Sequence, residues 1–160
     1  MRATPLTIGR TFGVAFDDGD DFLPQLGAFC AEYGIRSAYI PMFLGGFHSV
    51  RLVGTCHPIE DPSAPVWAAT EFSTLEALGS GTIAWDEEGD TLAPHIHVAV
   101  GLKGQSAEGR TSHLLAGRVQ FISELFVVEV TDPLMTRPKL GRHAVPTLQF
   151  TQPSRSVESQ

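Results

Sequence analysis

The sequence predicts an α+β fold, a largely antiparallel sheet with one helix near the N-terminus. Residues 20–33 repeat their apolar side chains at helical spacing, and almost everything after them comes in apolar or alternating blocks of strand length. Those blocks follow one another mostly at hairpin spacing, which argues for antiparallel pairing.

The first block, LTIGRTFGVAF at 6–16, reads as a strand, and DDGD at 17–20 supplies a turn and a helix start. Phe22, Leu23, Leu26, Phe29, Cys30 and Tyr33 then form one helical stripe. Pro24 lies in the first turn, where its missing N–H costs little, and Gly34 is placed to stop the helix. The spacing therefore predicts a helix over 20–33. IRSAYIPMFLGGFHSVRLVG, residues 35–54, reads as two strands meeting near Gly45–Gly46, where glycine permits a bend or bulge. GTCHPIEDPSAP carries three prolines and reads as a loop. VWAATEF and LEALGSGTIAW follow as strands, although 72–79 also fits a helical turn. Residues 92–102 and 112–131 are strand-like again.

With 160 residues, 42% of them hydrophobic and 18% charged, the chain is expected to form one globular domain with a real core. The domain is placed at 1–132, followed at 133–160 by an extended or partly disordered tail rich in Pro and Ser. Charge divides the same way. Residues 1–132 hold 7 Lys+Arg against 17 Asp+Glu, whereas 133–160 hold 4 against 1. A net charge of −7 disfavours a general nucleic-acid surface. No apolar run is long enough to span a membrane, and MRATPLTIGRTFG lacks the layout of a signal peptide, so a cytoplasmic location is expected. Cys30 and Cys56 read as two reduced thiols.

The chemistry concentrates in LAPHIHVAVGLKGQSAEGRTSHLLAG, residues 92–117. Alternate strand residues share a face, so His95 and His97 project together while Ile96, Val98 and Val100 face a core. KGQSAEG is polar and bounded by glycine, and folding the strand back about Gln105 sets His97 opposite His113. Three imidazoles then converge. Three nitrogen ligands with a fourth position open make a catalytic-type zinc site, although nickel, iron and manganese also accept nitrogen donors. An H-x-H pair alone is a weak signal, since surface or hydrogen-bonded histidines explain most of them; the third histidine in register is what raises it.

The succession FGVAFDDGDDFLPQLGAFCAEYGIRSAYIPMFLGGF, LEALGSGTIAW, PHIHVAVG, SHLLAGRV and SELFVVEV resembles the PPC domain, named for plants and prokaryotes, over residues 10–131. The order and spacing of five blocks carry the likeness. Thr111-Ser112 stand where the family usually has a glycine pair before His-Leu. Glu76 matches the family's glutamate before Leu-Ser-Leu, with Ala77-Leu78-Gly79-Ser80 departing from those neighbours, and Glu124 matches the glutamate that opens the last strand. The resemblance implies an α+β homotrimer with sites near subunit boundaries. It also looks like the fold of acetolactate decarboxylase, where an H-x-H pair and a third histidine hold zinc, a likeness of fold that does not carry function by itself.

Three functions follow as expectations. In the first, a divalent metal, zinc before others, sits on His95, His97 and His113 to bind or transform a small carbonyl or carboxylate molecule, with Glu76 or Glu124 moving a proton. Each glutamate also has a plainer reading as a solvated carboxylate. Arg51, His48 and His57 are further candidates whose plainer readings are a surface arginine and loop histidines. In the second, the chain is a DNA-associated regulatory protein, supported by the basic tail. TRPKLGRHAVP loosely resembles an AT-hook, but Leu140 and His143 occupy positions where Arg and Pro are needed, and Thr74-Leu75 stand where plant members carry an arginine before the glutamate. In the third, the chain is a non-catalytic trimeric scaffold with structural histidines.

Overall fold

The structure is a computed structural model that describes residues 3–55, 67–102, 104–141 and 144–151. The proline-rich loop with Cys56 and His57, and the last nine residues of the expected tail, lie outside the described residues. β1 (Thr7–Asp17) leads into α1 (Phe22–Tyr33), followed by β2 (Ala38–Thr55), β3 (Trp67–Asp86), β4 (Thr91–Leu102) and β5 (Gln105–Asp132). Four short strands follow: β6 (Leu134–Thr136), β7 (Lys139–Leu140), β8 (Val145–Pro146) and β9 (Gln149–Thr151).

The sheet closes on itself. β2 pairs with β3, β3 with β4, β4 with β5, and β5 returns to β2, every pair antiparallel. The α+β expectation therefore holds only loosely: the described residues form a four-strand barrel with one helix, and β1 extends the sheet along the far part of β5.

α1 starts and stops as its sequence requires. Asp21 is the extended N-cap, though its side chain makes no capping bond, and Pro24 falls in the first turn, where the helix has no acceptor for its N–H. Gly34 takes the left-handed conformation at φ 67°; its N–H donates to Ala31 O, and Ile35 N–H donates to Cys30 O at 2.8 Å. This double closure satisfies the orphan carbonyls. Phe22, Leu26 and Cys30 are the buried face. Phe22 meets Phe43 of β2 at 4.9 Å between ring centroids, Phe16 of β1 at 5.3 Å and Phe47 at 5.7 Å. Burial pushes the Cys30 thiol up to about 11, leaving an inert side chain of the core.

Two expectations about strand number are corrected. The two strands expected between 35 and 54 are one, because Gly45–Gly46 forms a bulge and not a turn. Pairing with β3 runs unbroken from Phe43 to Phe47, while pairing with β5 shifts between Gly45 and Gly46. A Cβ on Gly45 would lie 2.5 Å from Ile122 O, and one on Gly46 2.7 Å from Gln120 O, so the β5 backbone approaches only because both residues are glycine. WAATEF, the described part of the first expected strand, and LEALGSGTIAW likewise belong to the single strand β3. Thr74 at φ 54° switches the inward face, so that Phe72 and Leu75 both pack on the core. Their three-residue spacing is what imitated a helical turn.

β6 and β9, within the stretch read from sequence as an extended or partly disordered tail, join the main sheet. Met135 N–H donates to Ser37 Oγ at 2.8 Å, and Thr136 pairs in parallel with Trp85. Met135, Thr136 and Arg137 are buried.

Truncating Phe22 to alanine removes the ring that joins α1 to the barrel and should cost about 3–5 kcal/mol, read from urea unfolding followed by circular dichroism. A second test concerns β1. Arg10 donates through Nε and Nη2 to Glu129, each at 2.8 Å, and this holds the Glu129 carboxyl down at about 2, against an ordinary 4.5. A folded-state value below the unfolded one stabilises the protein above pH 4.5 and is lost as pH falls toward 2. The Glu129→Gln variant should therefore lose less stability than wild type across that acid window.

Candidate metal centre

β4 alternates between two environments. Ile96, Val98 and Val100 turn into the barrel, each at most 1% exposed, which forces His95 and His97 onto the outer face. On β5, Leu114 turns inward and is 2% exposed, so its neighbour His113 also faces out. The hairpin register sets His97 directly opposite His113, the pairing that the sequence predicts. It holds through Val100↔Arg110 and then shifts, so that Leu102 meets Gln105 at the tip.

The three rings cluster tightly. Centroids lie 5.0 Å apart for His95 and His97, 4.9 Å for His95 and His113, and 5.7 Å for His97 and His113. One nitrogen from each ring can be chosen so that all lie within 4.8 Å of one another, and this group could hold a metal ion. Zinc bound by imidazoles at 2.0–2.1 Å needs its nitrogens about 3.3 Å apart, so binding would draw the three rings together. His95 Nε2 is already 3.0 Å from His97 Nε2. His113 Nδ1 is buried and has no hydrogen-bond partner. An orphaned buried ring nitrogen is costly unless something outside the chain uses it, and a cation is the natural acceptor of its lone pair.

Burial above all disfavours protonation of two of the three rings. Burial, followed by the charge of Arg137 and the neighbouring rings, lowers His95 to about 4. His113 is lowered too, by burial first and then by His97 and Arg137. Neutral imidazole is the form that binds metals.

Arg137 is the residue that sequence reading missed. It follows β6, and its side chain crosses β3 to reach β4. Nη2 donates to Thr82 Oγ1 at 2.6 Å, Nε to Ala93 O at 3.3 Å, and Nη1 to His95 Nδ1 at 3.0 Å. It is 7% exposed. Nothing in TRPKLGR marked it, because its partners lie more than forty residues away in sequence.

The glutamates are not brought to the histidines within one chain. Glu76 is exposed on β3 opposite Gly101, and four residues of β4 separate that level from His97, about 13 Å of strand. Glu124 is exposed between Leu44 and Ala15, eleven residues along β5 from His113, about 36 Å of strand. His48 pairs with Asp18 at 3.1 Å, and Arg51 is exposed opposite Glu71. A cleft of about 590 Å³ between α1 and the β3–β4 turn, lined by Leu26, Cys30, Ile83, Trp85 and Leu92, includes none of the histidines.

Comparison with known proteins agrees with this architecture. The family model of the Plants and Prokaryotes Conserved (PCC) domain, the PPC domain named above, matches residues 3–131. The chain belongs to the PPC family. No curated protein matches it. Among solved structures, a metal-containing protein from Archaeoglobus fulgidus is similar at 23% identity and a TM-score of 0.77, covering 93% of this PPC chain and 99% of its own. A PPC protein from Pyrococcus horikoshii matches at 19% identity and a TM-score of 0.77, over 96% and 100% of the two chains. A putative DNA-binding protein from Bacteroides thetaiotaomicron matches at 21% and 0.73, over 91% and 97%. At these identities the likeness is one of fold. Acetolactate decarboxylase from Bacillus subtilis strain 168 aligns at 12% identity and a TM-score of 0.47, over 79% of this chain and 53% of its own, too distant for function to follow.

In metal-free protein the His95 ring should titrate near pH 4 by NMR, against an ordinary 6.5. Its neutral form then stabilises the fold above pH 6.5, and this is lost as pH falls toward 4. Arg137→Met should raise the midpoint without restoring the ordinary value, since burial is the larger cause.

Proposed function

We propose that this PPC-family chain is a metal-dependent protein whose three histidines hold one divalent ion, zinc before others, and that it binds or transforms a small carbonyl or carboxylate compound. The convergence of His95, His97 and His113, with the buried Nδ1 of His113 left without a hydrogen-bond partner, carries this reading. The donor set fits zinc, which takes three imidazoles and keeps a position open when it serves chemistry. A bound ion would act as a Lewis acid toward an oxygen of the ligand. The metal-containing relative from Archaeoglobus fulgidus is in keeping with it.

The chain's own contribution is positioning. Ile96, Val98 and Leu114 back the three rings with a packed core, so the imidazoles cannot retreat into the barrel. Thr82 and the Ala93 carbonyl fix Arg137 beside His95. A homotrimer is part of the proposal, and the sheet offers a surface for it: Leu44, Leu78 and Phe126 are 42%, 57% and 51% exposed, with Leu44 directly opposite Leu78. Among the described residues no helix is long and apolar enough to cross a membrane. DNA association ranks behind, since Arg137, one of the four basic residues after 132, is buried against His95 and unavailable to phosphates.

Elemental mass spectrometry of untagged protein, purified without added metal, tests the centre. About one zinc or similar ion per chain is expected, lost in His97→Ala with the fold retained. A wild-type protein that stays metal-free after exposure to zinc would leave the scaffold reading in its place.

A further inference from the structure

The polarity of the hydrogen bond between Arg137 and His95 conflicts with a filled metal centre. Guanidinium has only donors, so the 3.0 Å contact from Nη1 requires a lone pair on His95 Nδ1. A neutral imidazole then carries its proton on Nε2, the nitrogen that faces His97 at 3.0 Å and points into the cluster. Ligation through Nε2 reverses the ring: the lone pair goes to the ion, and Nδ1 must bear the proton. The second nitrogen of a ligating histidine ordinarily donates to a carboxylate or carbonyl. Here it would meet another donor, and the two N–H groups must part.

Arg137 cannot simply be left without that acceptor. It is 7% exposed, it keeps Thr82 Oγ1 and Ala93 O as neutral partners, and among the described residues no carboxylate pairs with it. A buried cation next to a dication is costly unless an anion joins them. Three of its five N–H groups serve Thr82, Ala93 and His95, so release from His95 frees a second donor on Nη1 beside those already unused. A carboxylate suits that fork geometrically as well as electrically.

We propose that Arg137 and the three-histidine centre together form a receptor for a small carboxylate-bearing molecule, in which the guanidinium turns from His95 Nδ1 to the anion when the ion is bound. This rests on the metal reading above. It narrows the ligand class from carbonyl or carboxylate compounds to those carrying a negative carboxylate, and it makes Arg137 the residue that selects it. Anion and metal then favour each other's binding, because each removes an interaction that opposes the other.

Cobalt(II) tests both layers in one experiment, since its visible absorption reports ligation without any turnover. Wild type, Arg137→Met and Arg137→Lys are loaded with cobalt and titrated with pyruvate and with pyruvamide, its uncharged counterpart. Wild type should bind pyruvate at least tenfold more tightly than pyruvamide; Arg137→Met should lose that preference while keeping one cobalt per chain, and Arg137→Lys should recover part of it. Cobalt-loaded wild type that treats the two probes alike overturns the receptor and leaves the metal centre standing, and this comparison needs no variant to fold. Undiminished preference in Arg137→Met overturns it as well. Failure of wild type to bind cobalt appears before any probe is added, and it removes the metal centre and the receptor together.

Discussion

The pairing of β4 with β5 is the constraint on which both the barrel and its outer site depend. β5 is long enough to pair with β4 at its start, with β2 through its middle and with β1 at its end. His113 sits at the seam, opposite His97 on one side and Val53 on the other. A slip of one residue would turn His113 into the barrel and Leu114 out of it, burying an imidazole and exposing a leucine. The core therefore enforces the geometry of the histidines, although no core side chain belongs to their set.

Sequence makes this constraint legible because it is local. Alternation over 95–100 and a glycine-bounded polar turn are enough to place three histidines on one face and in register, and the Phe22-to-Tyr33 stripe with Gly34 is enough for the helix. What sequence hides is closure. Nothing in the β2 segment says that Gly45 and Gly46 meet the backbone of Gln120 and Ile122, so a bend and a strand end look alike there. Thr74 hides in another way, since a parity switch inside a strand gives the same three-residue spacing as a helix. Arg137 is illegible for a third reason: its meaning is set by Thr82, Ala93 and His95, and a basic run in a proline-rich stretch gives no hint of such partners.

The segment after Pro133 changes how the centre should be regarded. It lies beyond the family match, which ends at 131, yet it delivers a buried cation beside the histidines. Ser37, just before β2, anchors it through the Met135 N–H, and Trp85 O receives the Arg137 N–H at 3.3 Å. The guanidinium is thus held from its backbone as well as from its tip, and the polarity around His95 is a built feature of the fold.

The outward placement of the histidines has a consequence for how such a protein can diversify. Stability resides on the inner face of each strand and reactive groups on the outer, so the two are written in alternating letters of the same segments. Ser80 and Ala99 neighbour the triad on the outer face without belonging to the buried core. Substitution there leaves the packed inner face untouched, so the surroundings of the three histidines can vary at little risk to folding.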